Sequence, residues 1–323
     1  MMEKTFSDRI PVIDGHVDLL YSLMRYSPGT AFSALTDGEI TPDRLREGNV
    51  RLIISAFYCA DPHNGPVTAR AHLNDLYAQA QTLLRGLTPI LSAGDLEQTW
   101  RGTGEPGVLY LLENADALVD ENVSRWQARG IRVVGLTHAG ENRIGSGNGV
   151  NSPGGLTAAG LRLVRELARL GIVIDVAHLS DPCFWQLMDC YSGPLISSHT
   201  GFRRFCHLPR NLSDEQVRVL MDRNGMIGVS VNPDMLDKNL SAGLFQVVEQ
   251  IDWLVQQYGD HQVAIGSDFG GFESTAPGME HPGKFQSLAG GLQAIGYSQS
   301  AVENILGNNW YRFYKKLLSK TVL

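Results

Sequence analysis

Cysteine is scarce in this sequence: four residues in 323, Cys59, Cys183, Cys190 and Cys206, with no Cys-x-x-Cys spacing among them. That leaves neither a zinc ribbon nor a thioredoxin-like redox motif, and the thiols read as buried or neutral side chains. Long apolar runs are missing as well, none approaching the roughly 18 residues that span a bilayer. Met1 to Ile10 is charged from its third residue and lacks the apolar core of a secretory signal, and Lys315 to Leu323 is too short for a lipid-anchor signal. A cytoplasmic protein is expected. Positive charge is also in short supply: 27 basic against 34 acidic groups leave a net −7, so no basic face is offered to nucleic acid or anionic lipid. Gly145 to Gly155 is rich in Gly, Asn and Ser but has no Gly-Lys-Ser/Thr of a phosphate loop, and reads as a mobile strand-to-helix loop.

What the chain does contain is a hydrophobic content of 43%, enough for a substantial core, with no composition break that would mark a domain boundary within residues 1–323. Runs rich in Val, Ile and Leu recur at Pro11–His16, Leu52–Cys59, Val108–Glu113, Val133–His138, Ile172–His178, Leu195–His199, Met226–Asn232 and Val263–Asp268. Between them, apolar residues at three-to-four spacing predict helices over Ala69–Leu84, Glu121–Arg129, Ala158–Leu170, Pro182–Tyr191, Asp214–Arg223 and Leu244–Tyr258. Ser213 with Gln216 makes a capping box, and Gly171 and Gly225 stand where helices stop before strands. Residues 1–10 read as an N-terminal extension, 308–323 as a C-terminal helix, and Tyr21–Asn49 as an elaborated loop over the site. Eight apolar strands alternating with helices predict a single-domain (β/α)8 TIM barrel, with a doubly wound open sheet as the alternative.

Polar residues close most of those strands, and a barrel gathers its active site at that end. His16, His138, His178 and His199 end four separate predicted strands, and Asp18, Glu113 and Asp268 add three carboxylates at equivalent places. In Asp14-Gly-His-Val-Asp18 the imidazole and the carboxylate, two residues apart on an extended strand, point the same way. Nitrogen and carboxylate oxygen are normal donors to zinc. Leaving so many polar groups unpaired in a barrel interior would be costly, whereas a bound cation pairs them.

These residues resemble the zinc-dependent membrane dipeptidases, also called renal dipeptidases, within the amidohydrolase-like metallopeptidases. The likeness runs through Asp14-Gly-His-Val-Asp18, Leu111-Leu-Glu-Asn114, Leu136-Thr-His138, Asp175-Val-Ala-His-Leu-Ser180, Ser197-Ser-His199, Arg210-Asn211 and Gly266-Ser-Asp-Phe269. The resemblance implies two zinc ions per chain, one held by His16 and Asp18, the other by His178 and His199, with Glu113 bridging. A pair of divalent ions about 3.5 to 4 Å apart activates water and polarises a carbonyl. Many related amidohydrolases bridge with a carboxylated lysine, but the lysines here, at 4, 238, 284, 315, 316 and 320, fall on no predicted strand.

The resemblance further implies that His138 supports the developing oxyanion and that Asp268 moves the proton between nucleophile and leaving amine. Arg210 would grip the terminal carboxylate of a dipeptide, with Arg203 and Arg204 as competitors for that role. The C-terminal residue of the substrate would tolerate the D configuration, and the protein would be a homodimer. One departure stands out: where many relatives read Asp-Phe-Asp-Gly, this chain reads Asp268-Phe-Gly-Gly271, without the second acid. A lactone, cyclic amide or phosphoester hydrolase on the same barrel is the alternative reading, a non-enzymatic scaffold a third. Ligand type alone does not separate zinc from manganese or cobalt.

Overall fold

Near-continuous Val, Ile and Leu runs form parallel strands because such strands are covered on both faces and have no polar side to show. The computed structural model describes residues 9–102, 104–238, 242–274 and 276–320. Its strands are β1 Val12–Val17, β2 Val50–Tyr58, β3 Thr88–Pro89, β4 Gly107–Glu113, β5 Ile131–Gly135, β6 Val173–Asp175, β7 Leu195–Thr200, β8 Met226–Val229 and β9 Val263–Ile265. All pair in parallel, in the order β1-β2-β4-β5-β6-β7-β8-β9, with β3 beside the start of β4. Residues after β9 complete the ring: Asp268 N–H donates to the His16 carbonyl at 3.0 Å and Asp18 N–H to the Phe269 carbonyl at 2.8 Å. Asp14 accepts the backbone N–H and the hydroxyl of Ser267 at 2.8 and 2.6 Å across the same seam. The chain is therefore the predicted (β/α)8 barrel, not the open sheet. β3 is an addition that no apolar run announces, since both of its residues are exposed.

All six predicted helices are present, at Thr68–Leu83, Val123–Ala128, Ala158–Leu170, Asp181–Cys190, Asp214–Asp222 and Leu244–Tyr258. Ser213 and Gln216 form their capping box, with Gln216 N–H donating to Ser213 Oγ at 3.2 Å. Gly171 takes the left-handed conformation after its helix, φ 65°; at the second such end Asn224 does so instead, φ 55°, and a side chain on Gly225 would press on the Leu220 carbonyl.

Tyr21–Asn49 is not a loop throughout. Leu19–Tyr26 is a helix that buries Leu19, Leu20 and Leu23, and Pro42–Glu47 is another, started by the Thr41 side chain and by Pro42 in the first turn. Ala93–Arg101, with a capping box from Ser92 and Asp95, is a further helix beyond those predicted. The expected C-terminal helix is found at Asn309–Lys320, while residues 1–8 of the extension and 321–323 lie outside the described residues. Of the cysteines, Cys59, Cys183 and Cys206 are buried and Cys190 is exposed. No helix among the described residues is long and apolar enough to cross a membrane.

Two apolar layers follow from the strand alternation. One face of the strands packs beneath the surrounding helices; the other sends Ile13, Leu52, Ile54, Leu109, Leu111, Val133, Val173 and Ile196 into the barrel interior. Trp310, Tyr314 and Leu318 of the C-terminal helix join that interior cluster and plug its floor. Trp310 Nε1–H donates to the Ile265 carbonyl at 2.8 Å, and its ring lies so close to Gly15 that a Cβ there would sit 2.6 Å away. The glycine of Asp14-Gly-His16 thus makes room for the plug. Replacing Trp310 by Ala is expected to lower stability by about 3–5 kcal/mol, the usual cost of emptying a buried aromatic site. Urea unfolding checks this, and an unchanged midpoint would show that the plug contributes nothing.

Candidate metal centre

Barrel strands end in turns that aim side chains inward, and the backbone here bends to do so. His178 and Asp268 hold left-handed φ values of 64° and 70°, an uncommon conformation for non-glycine residues and one concentrated at functional positions. Strands β5, β6 and β9 stop at Gly135, Asp175 and Ile265, so His138, His178 and Asp268 lie three residues past their strands rather than on them. The His178 carbonyl is fixed by Asn148 N–H at 2.8 Å and by the Thr137 hydroxyl at 3.2 Å. The Gly145–Gly155 segment read as mobile is therefore tied to the histidine turn, with Gly147 and Gly149 bonded back to Gly140 and Ala139.

Six of the seven strand-end residues meet in two groups, and the seventh, His138, stands beside them with its ring centroid 4.5 Å from that of His178. Glu113 Oε1 stands 2.9 Å from His178 Nε2 and 3.9 Å from His199 Nε2, and the two imidazole nitrogens are 3.2 Å apart. His16 Nε2 faces Asp18 Oδ2 at 3.5 Å, and Asp268 converges with this pair, its Oδ1 also 3.8 Å from His199 Nε2. Asp18 begins the Leu19–Tyr26 helix without capping it, which leaves its carboxylate free to face His16. Glu113 and His16 are buried, as are Asp18, His199 and Asp268.

Charge in the centre is unbalanced without a cation. Burial, followed by the neighbouring Asp18 charge, pushes the Asp268 carboxyl up to about 7. Burial opposes a charge on His16, yet the carboxylates of Asp18, Glu113 and Asp268 raise its pKa to about 10. Burial and the nearby Arg210 charge press His178 down to about 3, which leaves its imidazole neutral. Burial works against ionisation of Glu113 too, but His178, His16 and His138 hold its carboxyl well below the usual range. His16 Nε2 and Asp18 Oδ1 are buried with no hydrogen-bond partner. Orphaned ligand atoms, the neutral imidazole of His178 and crowded carboxylates fit a divalent cation.

A cavity of about 410 Å³ opens over the centre, lined by Asp18, Glu113, His138, His178, Arg210, Asn232 and Asp268 together with Tyr21, Tyr58 and Asn148. Arg210 forms no ion pair among the described residues; its Nη2 donates to the His199 carbonyl at 2.9 Å, and burial lowers its pKa. Its rivals are engaged elsewhere. Arg203 makes a two-pronged pair with Asp181 at 2.6 and 2.8 Å, and Arg204 covers the Trp253 ring at 4.5 Å.

Three residues in the site escaped the sequence reading. Asp61 Oδ2 meets His138 Nδ1 at 3.2 Å and also takes Gly140 N–H; Asn232 Nδ2 donates to Asp268 Oδ2 at 3.1 Å; Ser198 Oγ touches both His16 and His199. Asp61 and Asn232 follow or end predicted strands, so the strand-end rule that found the histidines would have found them. At Gly270, where the second acid is missing, the backbone meets another carboxyl. Gly270, at φ 83°, donates its N–H at 2.8 Å to Glu39 from the first connection, and burial lifts that carboxyl to about 7. A side chain on Gly271 would reach within 2.5 Å of Asp18 Oδ2 and Asp268 Oδ1.

The sequence pattern of the membrane dipeptidase family, peptidase family M19, matches residues 2–321. Over 240 residues the chain is 32% identical to a Klebsiella pneumoniae protein described as an uncharacterized protein in the pqqA 5' region, covering 70% of this chain and 88% of that one. It is 25% identical to the Aspergillus oryzae dipeptidase aclJ over 94% of this chain and 77% of the other. A metallo peptidase from Rhodobacter sphaeroides, solved with a phosphinate mimic of the dipeptide L-Ala-D-Ala, superposes with a TM-score of 0.83 at 24% identity, over 98% of this chain and 100% of that one. That likeness carries the fold.

Proposed function

The chain belongs to the membrane dipeptidase family, peptidase family M19, and from that premise we propose a binuclear zinc dipeptidase that cleaves dipeptides bearing a free C-terminal carboxylate. Membership in the family makes it a metal-dependent hydrolase of peptide bonds. The finer reading assigns one zinc to His16 and Asp18, a second to His178 and His199, and the bridge to Glu113. When bound, such ions supply Lewis acidity toward water and the scissile carbonyl.

The remaining work falls to side chains of this protein. His138, oriented by Asp61, donates toward the carbonyl oxygen as negative charge develops there. Asp268, held by Asn232, takes a proton from the attacking water and delivers it to the leaving amine. Arg210 binds the substrate carboxylate through its planar guanidinium. That contact carries the reading: a partly buried arginine without a carboxylate of its own borders the cavity of about 410 Å³ that holds the ligand cluster. A second cavity of about 530 Å³ shares Asn148, Leu208 and Arg210 with the first, which supports room for the C-terminal side chain in either configuration. The Rhodobacter sphaeroides relative was solved with a phosphinate mimic of the dipeptide L-Ala-D-Ala, in keeping with the proposed D tolerance.

Replacing Arg210 by Ala is expected to raise KM for dipeptides on the order of 10- to 100-fold, from the loss of a hydrogen bond to a charged group. Turnover at saturation should move far less, and dipeptide amides should be poor substrates for both forms. An unaltered KM would point instead to a lactone, cyclic amide or phosphoester. Steady-state kinetics on a panel of L-L and L-D dipeptides, with zinc content measured on the same preparation, makes the comparison.

A further inference from the structure

The histidines assigned to different metals share one hydroxyl. Ser198 Oγ lies 2.8 Å from His199 Nδ1 and 3.2 Å from His16 Nδ1, and the two rings stack with centroids 3.7 Å apart. Beneath them stands Asp175, buried at the end of β6, whose Oδ1 accepts the N–H groups of Ser198 at 2.9 Å and Ala177 at 3.0 Å. The Ser198 hydroxyl faces the same carboxylate. His16, Asp175 and His199 converge closely enough to suggest a cation site of their own, yet the serine hydroxyl already bonds the Nδ1 atoms of both rings.

A hydroxyl has one hydrogen to give and two lone pairs to offer. Asp175, whose Oδ1 already accepts two backbone N–H groups, takes the hydrogen; the lone pairs then receive an N–H from each imidazole. With cations at the centre, only one tautomer satisfies that arrangement: both rings carry hydrogen on Nδ1 and would present a bare Nε2 to the cation. His16 Nε2 is accordingly buried and unpartnered, and His199 Nε2 turns to Glu113, His178 and Asp268. We propose that Asp175 and Ser198 form a positioning pair that sets the tautomer of His16 and His199 together and so links the two metal positions through a single hydroxyl. The inference rests on the metal reading above. Ser198 touches no substrate; it acts through the two imidazoles. Because one oxygen serves both rings, its loss is felt at both positions at once, which distinguishes it from a partner private to one ligand.

Titration of the metal-free protein with zinc against a chromophoric chelator, and the visible absorption bands of the cobalt-loaded form, test this without reference to activity. Two binding steps are expected for the wild type. Ser198→Ala should weaken both on the order of 10- to 100-fold, as losses of hydrogen-bond partners to metal-bound histidines do, and should alter the cobalt spectrum; Ser198→Thr, which keeps the hydroxyl, should restore both steps. Should the alanine variant not fold, by circular dichroism, Asp175→Asn carries the test. Its shape is retained, but its amide nitrogen donates to the hydroxyl and turns the serine hydrogen toward one ring, so at least one step should weaken tenfold. Wild-type affinities in Ser198→Ala or Asp175→Asn, or a loss confined to one step in Ser198→Ala, would overturn the linkage. A wild type that binds no divalent cation would overturn the metal reading itself.

Discussion

A Glu113→Gln variant is expected to lose dipeptide hydrolysis by on the order of 10³-fold or more, and to hold fewer than two zinc ions per chain. The substitution keeps the volume and the carbonyl oxygen but removes the charge, at a carboxylate lying 2.9 Å from His178 Nε2 and 3.9 Å from His199 Nε2. Burial alone would favour its neutral form; the surrounding imidazoles keep it ionised. An amide cannot offer two anionic oxygens, so the proposed bridge between the His16–Asp18 and His178–His199 positions would be lost. Kinetics and elemental analysis on the same sample decide the matter. A fully loaded Glu113→Gln enzyme with unchanged turnover would refute the bridging role.

The second large effect belongs to Asp268. Asp268→Asn should lower kcat by about 10²- to 10⁴-fold, the range for losing a general acid–base group, with zinc content kept. Metal retention matters because geometry gives this carboxylate two possible roles: it converges with His16 and Asp18 as a ligand would, and its other oxygen is held by Asn232 in the cavity wall. The asparagine still accepts from Asn232, so orientation survives while proton exchange does not. If instead one zinc is lost with the activity, Asp268 belongs among the ligands.

Strands and the main helices were legible because each announces itself locally: Val, Ile and Leu runs for the buried strands, and Ser213 with Gln216 for a helix start. Ala93–Arg101 passed unnoticed since only Leu96 on it is buried, too little apolar pattern to register. The helix Leu19–Tyr26 was hidden by what surrounds it, a metal motif before and a Ser-Pro-Gly turn after. Within the site, imidazoles and carboxylates closing successive apolar runs needed only the barrel rule to be gathered. Ser198 carries no such mark, because its role arises from a contact with His16 across 182 residues of chain that no local pattern encodes. The Glu39 carboxyl is of the same kind, accepting the Gly270 N–H across 231 residues.

The seam between β1 and the residues after β9 has a consequence for the order of assembly. Asp14 and Ser267, 253 residues apart, close the ring, and Trp310 slides beneath Gly15 from further along still. Bringing such distant segments together carries a large closure entropy that is recovered only when the last contacts form. His16 and Asp18, on the first strand of the barrel, therefore wait for the residues after β9 before their ring of neighbours is closed. A chain lacking β9 and the residues after it brings Glu113, His178 and His199 together without the seam that encloses His16 and Asp18, so the full cluster of strand-end side chains and the closed barrel come into being as a single late event.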